Sequence, residues 1–393
     1  MIQLPPIYPI TDGRRRESLA EQVRRLGAAG FPLVQFRGKP QDLLCQWAEL
    51  RTALREAADR GGWPAICLND RADLAVLAAR EAPGLWGLHL GQEDLPPAEA
   101  RRLPDLAGLH LGTSTHQLSE WTGTEACDHA GVGPLRATAS KGDHAAPLGL
   151  EGLAEGCRIL RARGIAPVAI GGLGVRDARD CFQAGAEALA MIGAVARARD
   201  PRLLLWRAQL ERWRARPPIA RGQGIVLVGG SGAGKSTLAR QLARMLDMPD
   251  RDADQRVETE AGMSIAQLFQ QRGEAGFRAL EAQAVKDCVT SPGVVALGAG
   301  AWENPDTRAA VWASGSAVLW LAEVPERAWA RVGGDPFRPL ATTREQFLAR
   351  WRQRTAAWSE APMVLPLGRS SSILARALVR ALSRAETQAR SNV

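Results

Sequence analysis

Residues 229–236 read Gly-Gly-Ser-Gly-Ala-Gly-Lys-Ser, directly after the apolar run 224–228 and directly before a helical pattern over 237–246. Strand, glycine turn and helix in that order are what a nucleoside triphosphate site requires. Gly229, Gly232 and Gly234 allow backbone N–H groups to wrap a phosphate, and Ala233 and Thr237 complete the turn. Lys235 is placed to reach the β- and γ-phosphates, and the Ser236 hydroxyl to serve Mg²⁺ beside ATP. Downstream, Asp252 and Asp254 follow a short second strand. One carboxylate would orient Mg²⁺ and the other accept a substrate hydroxyl proton, against the plainer reading of Asp252 or Asp254 as the cap of the next helix. Arg278 lies three residues before Glu281, the spacing of an ordinary exposed ion pair. The segment 331–340, rich in Gly and Pro, carries Arg331 and Arg338 and has the composition of a lid over a transferring phosphate. Arg354 falls in a helix over 344–358, and a last helix over 371–386 has the leucine spacing of core.

A second set of chemistry-bearing residues lies in the first half of the chain. Gln35, Arg37 and Lys39 share one face at period-two spacing. Asn69-Asp70, Gln92-Glu93-Asp94, Ser114 and then Thr138, Ser140 and Lys141 each follow an apolar run, and Gly171-Gly172 forms a glycine turn. Two carboxylates, two lysines, an arginine and a glycine nest suit one divalent metal and several phosphates, with Asp70 and Asp94 as hard-oxygen Mg²⁺ ligands. Each has a plain alternative: Asp94 as a helix cap, Asp70 paired with Arg71 or Arg37, and His89 and His110 as groups lining a core. His116 falls at a loop.

The elements that must position these groups follow from periodicity. Strand-like runs over 7–11, 33–37, 64–69, 85–91, 106–114, 129–133, 167–172 and 188–195 alternate with helices such as 19–28 and 41–58. Eight such pairs predict a (β/α)8 barrel, whose chemistry sits at the C-terminal ends of its strands. The phosphate loop predicts a second α/β domain of the P-loop kinase type with a central parallel sheet. The expected division is a barrel over 1–215 closed by a helix over 199–214, a linker over 216–223 and the kinase-like domain over 224–393. A chain of 393 residues, 46% hydrophobic and 23% charged, suffices for two such cores. No run of about 18 apolar residues and no signal-like N-terminus stands out, so a cytoplasmic enzyme without a membrane partner is expected. Six cysteines without a C-x-x-C spacing read as reduced thiols. The net charge of +8 is spread without basic blocks, which suits anionic small substrates and not nucleic acid; a homo-oligomer is left open. Only Lys39, Lys141, Lys235 and Lys286 interrupt an otherwise all-arginine basic set, and three of them fall in the two candidate sites.

The order and spacing of Ile7-Tyr-Pro-Ile-Thr-Asp12, Gln35-Phe-Arg-Gly-Lys39, Asn69-Asp70, His89-Leu-Gly-Gln-Glu-Asp94, Ser114-Thr-His116, Gly133 through Lys141 and Ala169-Ile-Gly-Gly-Leu173 resemble thiamine phosphate synthase. The resemblance implies joining of hydroxymethylpyrimidine pyrophosphate to thiazole phosphate with loss of pyrophosphate. By it Gln35, Arg37, Lys39, Asn69, Ser114 and Lys141 hold the pyrimidine pyrophosphate, Lys141 with a catalytic role. Thr138, Ser140, Gly172, Ile192 and Gly193 hold the thiazole phosphate, and Asp70 and Asp94 the Mg²⁺. Three motifs depart from the family pattern, at Gly38, at the pair Arg136-Ala137, and at Gly193 where a serine is usual.

From about 223 to 385 the motifs resemble shikimate kinase. The resemblance implies that Asp254, Arg278, Gly298, Ala299, Gly300 and Arg354 bind shikimate, with Lys235, Asp254 and Arg338 catalytic and Asp252 assisting Mg²⁺. Arg331 would stack on adenine and Arg338 meet the phosphates. Ala299 interrupts the family's glycine triplet. Because the two pathways share no intermediate, a pyrimidine or thiazole alcohol is the rival acceptor, and a nucleotide-sensing module regulating the barrel is the rival role.

Overall fold

Runs of Val, Ile, Leu and Ala without polar interruption mark strands covered on both faces, and both halves of the chain build parallel sheets from them. The computed structural model describes residues 4–380 apart from 40, 61, 83, 138–145, 216–221, 334–342, 359, 362 and 367–370, and apart from the side chains of 356 and 366. The chain divides into two compact units, Leu4–Arg216 and Pro217–Val393.

In the first unit eight strands alternate with helices: β1 (Ile7–Pro9), β2 (Leu33–Phe36), β3 (Ala65–Asn69), β4 (Leu85–Leu90), β5 (His110–Thr115), β6 (His129–Val132), β7 (Ala166–Ala169) and β8 (Ala188–Met191). They pair in parallel in the order β1-β8-β7-β6-β5-β4-β3-β2. An isolated parallel bridge between Ile10 and Gln35 joins the two ends of that series, leaving a nearly closed ring. Helices such as Leu19–Ala28 wrap it, and Ser18 caps that helix by accepting from the Glu21 N–H.

Strand readings change at several ends, the seventh stopping at Ala169 and the first at Pro9, and most at the fifth and eighth. The fifth strand starts at His110, not near 106, because Arg101 Nη1 donates to the carbonyls of Ala107 and Leu109 and holds that stretch in turns. The eighth stops at Met191, and Gly193–Ala196 turns into a short helix with Ala196 N–H donating to Ile192.

The second unit carries β9 (Ile225–Val228), β10 (Asp250–Asp252), β11 (Val294–Ala296), β12 (Ala317–Ala322) and β13 (Met363–Pro366), all parallel, in the order β10-β11-β9-β12-β13. The chain moves to one side of β9 for β10 and β11 and to the other for β12 and β13. That reversal opens a crevice at the C-terminal edge of β9, where ligands of such sheets bind.

Candidate active sites

In the first unit the C-terminal ends of β2, β3 and β4 bring charged groups together. The Thr11 hydroxyl fixes the chain after β2, accepting from Arg37 N–H at 2.8 Å and donating to its carbonyl at 3.1 Å. Burial lowers the Arg37 pKa, and the Asp70 charge opposes that. Lys39 Nζ lies 2.5 Å from Asp70 Oδ2. Asp70 itself has φ of 65°, a left-handed conformation rare outside glycine, and its N–H donates to His89 O at 2.7 Å. Asp94 is not a helix cap: its Oδ2 accepts from Gly91 N–H at 2.6 Å. A methyl group at Gly91 would stand 3.0 Å from Asp94 Oδ2 and 4.0 Å from Asp70 Oδ1, so the two carboxyls gather over that glycine. Burial pushes both carboxyls up. At Asp70 the Lys39 ammonium outweighs burial and holds the pKa below the usual range, whereas Asp94, beside the Asp70 charge, is raised. Two carboxylates in conflict over one proton are what a divalent cation would relieve, so these residues fit Mg²⁺, although no set of three protein ligands occurs among the described residues.

Ser114, at the end of β5, is nearly buried. Its hydroxyl lies 3.0 Å from His89 Nε2, and its carbonyl accepts from Gln92 Nε2. His89 in turn lies 3.3 Å from His129, whose ring stacks on His110, which stacks on Trp86 at 4.2 Å. The histidine pair flagged by the sequence thus lines the ring interior, with His129 as a third member. His116 Nδ1 lies 3.2 Å from Glu120.

At β7 the turn through Gly171 (φ 97°) and Gly172 (φ 67°) depends on left-handed backbone, and a methyl at Gly171 would meet Pro134 at 2.4 Å. Asp177, 5% exposed, holds the far side of this turn, accepting from Gly174 N–H at 2.8 Å and pairing with Arg136 at 2.7 Å. Sequence reading treated Arg136 only as a departure and passed over Asp177, a carboxylate three residues past Gly174 that looks like any helix-start residue. Ile192 and Gly193 follow β8. The Arg197 guanidinium covers Gly193, 2.8 Å from where a Cβ would stand. Thr138, Ser140 and Lys141 lie outside the described residues.

In the second unit β9 delivers the phosphate loop, with φ of 138°, 79° and 93° at Gly229, Gly232 and Gly234. Lys235 opens the helix Lys235–Leu246 and folds back, its Nζ donating to Gly229 O at 2.8 Å and Gly230 O at 2.9 Å. Ala233 is buried within the loop, while Ser236 and Thr237 are exposed. Asp252 closes β10 and takes the cap role weighed for it: Oδ1 accepts from Asp254 N–H at 3.0 Å and Gln255 N–H at 3.4 Å, and Oδ2 takes no part in the cap.

Gly298, following β11, is walled by acids, for a methyl there would stand 2.6 Å from Asp254 Oδ1 and 2.2 Å from Glu281 Oε1. Arg278 pairs with Glu281 at 2.6 Å and Glu274 at 3.0 Å, and its guanidinium sits over Gly300. The Arg278–Glu281 pair is therefore no exposed surface pair: the Glu281 side chain is 3% exposed, and burial raises its pKa. Burial weakens the Arg278 charge, but the two glutamates more than offset it and raise its pKa. Arg354 joins the site from the helix Arg344–Trp358, paired with Glu303 at 2.8 Å. Arg331, expected at adenine, donates to Gly232 O at 2.9 Å and pairs with the buried Glu323 at 2.7 Å. Arg338 lies outside the described residues. Glu303 and Glu323 carry no signal in the sequence, and Glu281 only its spacing from Arg278.

Both sites gather cations and glycine turns at the C-terminal edges of parallel strands, as α/β transferases acting on phosphate esters do. The family model for thiamine monophosphate synthase matches residues 7–195, and that for shikimate kinase residues 231–382. A thiamine-phosphate synthase of Chloroflexus aurantiacus is 38% identical over 49% of this chain and 86% of its own. A shikimate kinase of Rhodococcus jostii is 44% identical over 29% of this chain and 68% of its own, while other shikimate kinases align over 58% of their length. Among solved structures, a thiamine phosphate pyrophosphorylase of Pyrococcus furiosus covers 55% of this chain and 98% of its own at 26% identity, with a TM-score of 0.45. The chain belongs to the thiamine-phosphate synthase family through its first half and to the shikimate kinase family through its second.

Proposed function

We propose that this chain is a bifunctional transferase that makes thiamine phosphate at the first site and phosphorylates shikimate with ATP at the second. The observation behind the first reading is the pair Asp70 and Asp94 beside Lys39 and Arg37 at neighbouring strand ends. There the bond between the pyrimidine methylene and its pyrophosphate oxygen breaks, with the electron pair leaving on pyrophosphate. The thiazole nitrogen then supplies the pair for the new carbon–nitrogen bond. Arg37 and Lys39 offset the charge gathering on the leaving pyrophosphate, and Gln35, Asn69 and Ser114 fix the pyrimidine. Gly172, Ile192 and Gly193, with Thr138 and Ser140, take the thiazole phosphate, and Lys141 joins the groups on the pyrimidine pyrophosphate as a catalytic cation. Asp70 and Asp94 would hold Mg²⁺, which when bound adds charge neutralisation on the pyrophosphate.

At the second site, Gly229 to Thr237 hold the ATP phosphates, with Lys235 leaving its loop carbonyls for them. Asp254 takes the proton of the attacking hydroxyl as its oxygen bonds to the γ-phosphorus and the bond to ADP breaks. Arg278 over Gly300, with Arg354 held by Glu303 just past the same turn, is the observation favouring an acceptor with a carboxylate over a plain alcohol. Ser236 and Asp252 would hold Mg²⁺ here. Arg331 and Arg338 are assigned to adenine and phosphates, which requires Arg331 to exchange its present partners. Supplying the full chain with ATP and, separately, shikimate, the pyrimidine alcohol and the thiazole alcohol tests the acceptor; turnover of an alcohol alone would overturn it. Release of pyrophosphate with formation of thiamine phosphate tests the first site.

A further inference from the structure

The helix Arg344–Trp358 presents Trp351, Arg354 and Trp358 at spacings of three and four, hence along one face. Each end of that face meets a different loop of the kinase site. Trp351 closes on the phosphate loop so tightly that a methyl at Gly230 would fall 2.0 Å from its ring. Trp358, 1% exposed, donates its indole N–H to Ala299 O at 3.2 Å, in the middle of the acceptor turn. The two rings meet edge to face at 5.2 Å. The row continues through Phe347, 5.5 Å from Trp351, to Trp329, 5.4 Å further on. Trp329 lies on the helix Pro325–Val332, whose Arg331 grips Gly232.

Phosphoryl transfer depends on the distance between the γ-phosphorus and the acceptor oxygen, and a misplacement of about 1 Å costs on the order of 100-fold in rate. Here the loop holding the phosphates and the turn facing the acceptor are both referenced to one helix face. Arg354, between the two tryptophans in sequence, is proposed above to meet the acceptor's carboxylate. We propose that Trp358 is a positioning residue for the acceptor: its N–H fixes the Ala299 carbonyl, so that the turn 298–300 keeps register with Arg354 and, through Trp351, with the phosphate loop.

This inference rests on the kinase reading, and the test separates the two. In the full chain, Trp358→Phe keeps an aromatic ring and removes the N–H. The expected result is a KM for shikimate raised about tenfold, a KM for ATP within about twofold and a melting temperature within a few degrees of wild type. Unchanged KM for shikimate, or both KM values rising together with a lower melting temperature, would overturn the positioning role. Absence of shikimate turnover by wild type would instead overturn the acceptor assignment. Should the variant not fold, the Trp358 indole N–H can be followed by hydrogen exchange in wild type: slow exchange, slower still with shikimate bound, is expected, and exchange at the rate of an open indole would overturn the anchor.

Discussion

Asp94 and Lys235 are the residues on which the two activities separate most sharply. Asp94→Ala removes one of the two carboxylates proposed above to hold a cation, and thiamine phosphate formation is expected to fall at least about 100-fold while kinase turnover stays near wild type. Lys235→Ala removes the ammonium that caps two loop carbonyls and is proposed above to leave them for the phosphates, and the opposite pattern is expected. Measuring both activities in both variants checks this; loss of both activities in a variant that still folds would mean the sites are coupled. The positive φ at Asp70 belongs to the same scale: a carboxylate next to a lysine, held in a sparsely populated conformation, supports the role proposed for it above.

At the scale of elements, the turn after β7 shows what one buried carboxylate does for a loop. Asp177→Asn keeps the shape but drops the charge paired with Arg136 and weakens the bond from Gly174 N–H. A loss of about 1–3 kcal/mol in stability is expected, because a buried polar arrangement is left partly unmet. Chemical unfolding followed alongside the KM for thiazole phosphate, which should rise, is the check. The alternation of strands and helices in the first half was legible from apolar periodicity, as was the placing of Asp70 and Asp94 after neighbouring strands. Strand ends were not: the stretch before His110 is apolar enough for a strand but is claimed by Arg101, whose reach to Ala107, Leu109, Ala126 and Asp128 is invisible to a periodic pattern. Nor was the fate of Asp252 decidable, since capping and cation binding ask for the same residue type at the same place. The partners of Arg331 and Arg354, Glu323 and Glu303, lie in separate elements whose meeting only the fold supplies.

For the molecule as a whole, acidity should act first on the barrel-like unit. Burial holds the His110 pKa down to about 4 and that of His129 well below its ordinary value, the neighbouring imidazoles adding to the effect at His129. Unfolded imidazoles take up a proton near pH 6.5. Between that pH and the lower folded values the unfolded chain binds more protons, so stability present at neutral pH is lost as pH falls. His110 alone corresponds to a loss on the order of 2–3 kcal/mol by about pH 4. Urea unfolding of the full chain at pH 7 and pH 5, followed by far-UV circular dichroism, should show an earlier transition at pH 5. His129→Phe should flatten that difference.

The scarcity of lysine gives the molecule an unusual response to protein chemistry. Amine-directed acylation has four side-chain targets in 393 residues, and one of them, Lys286, is exposed on a helix away from the groups assigned to either reaction. Lys39 stands 60% exposed at the mouth of the first site, whereas Lys235 is 9% exposed and engaged by its own loop. A mild acylating reagent should therefore act as a selective poison, extinguishing thiamine phosphate synthesis well before phosphoryl transfer. Labelled peptides read by mass spectrometry would follow the same order as the two activities decline.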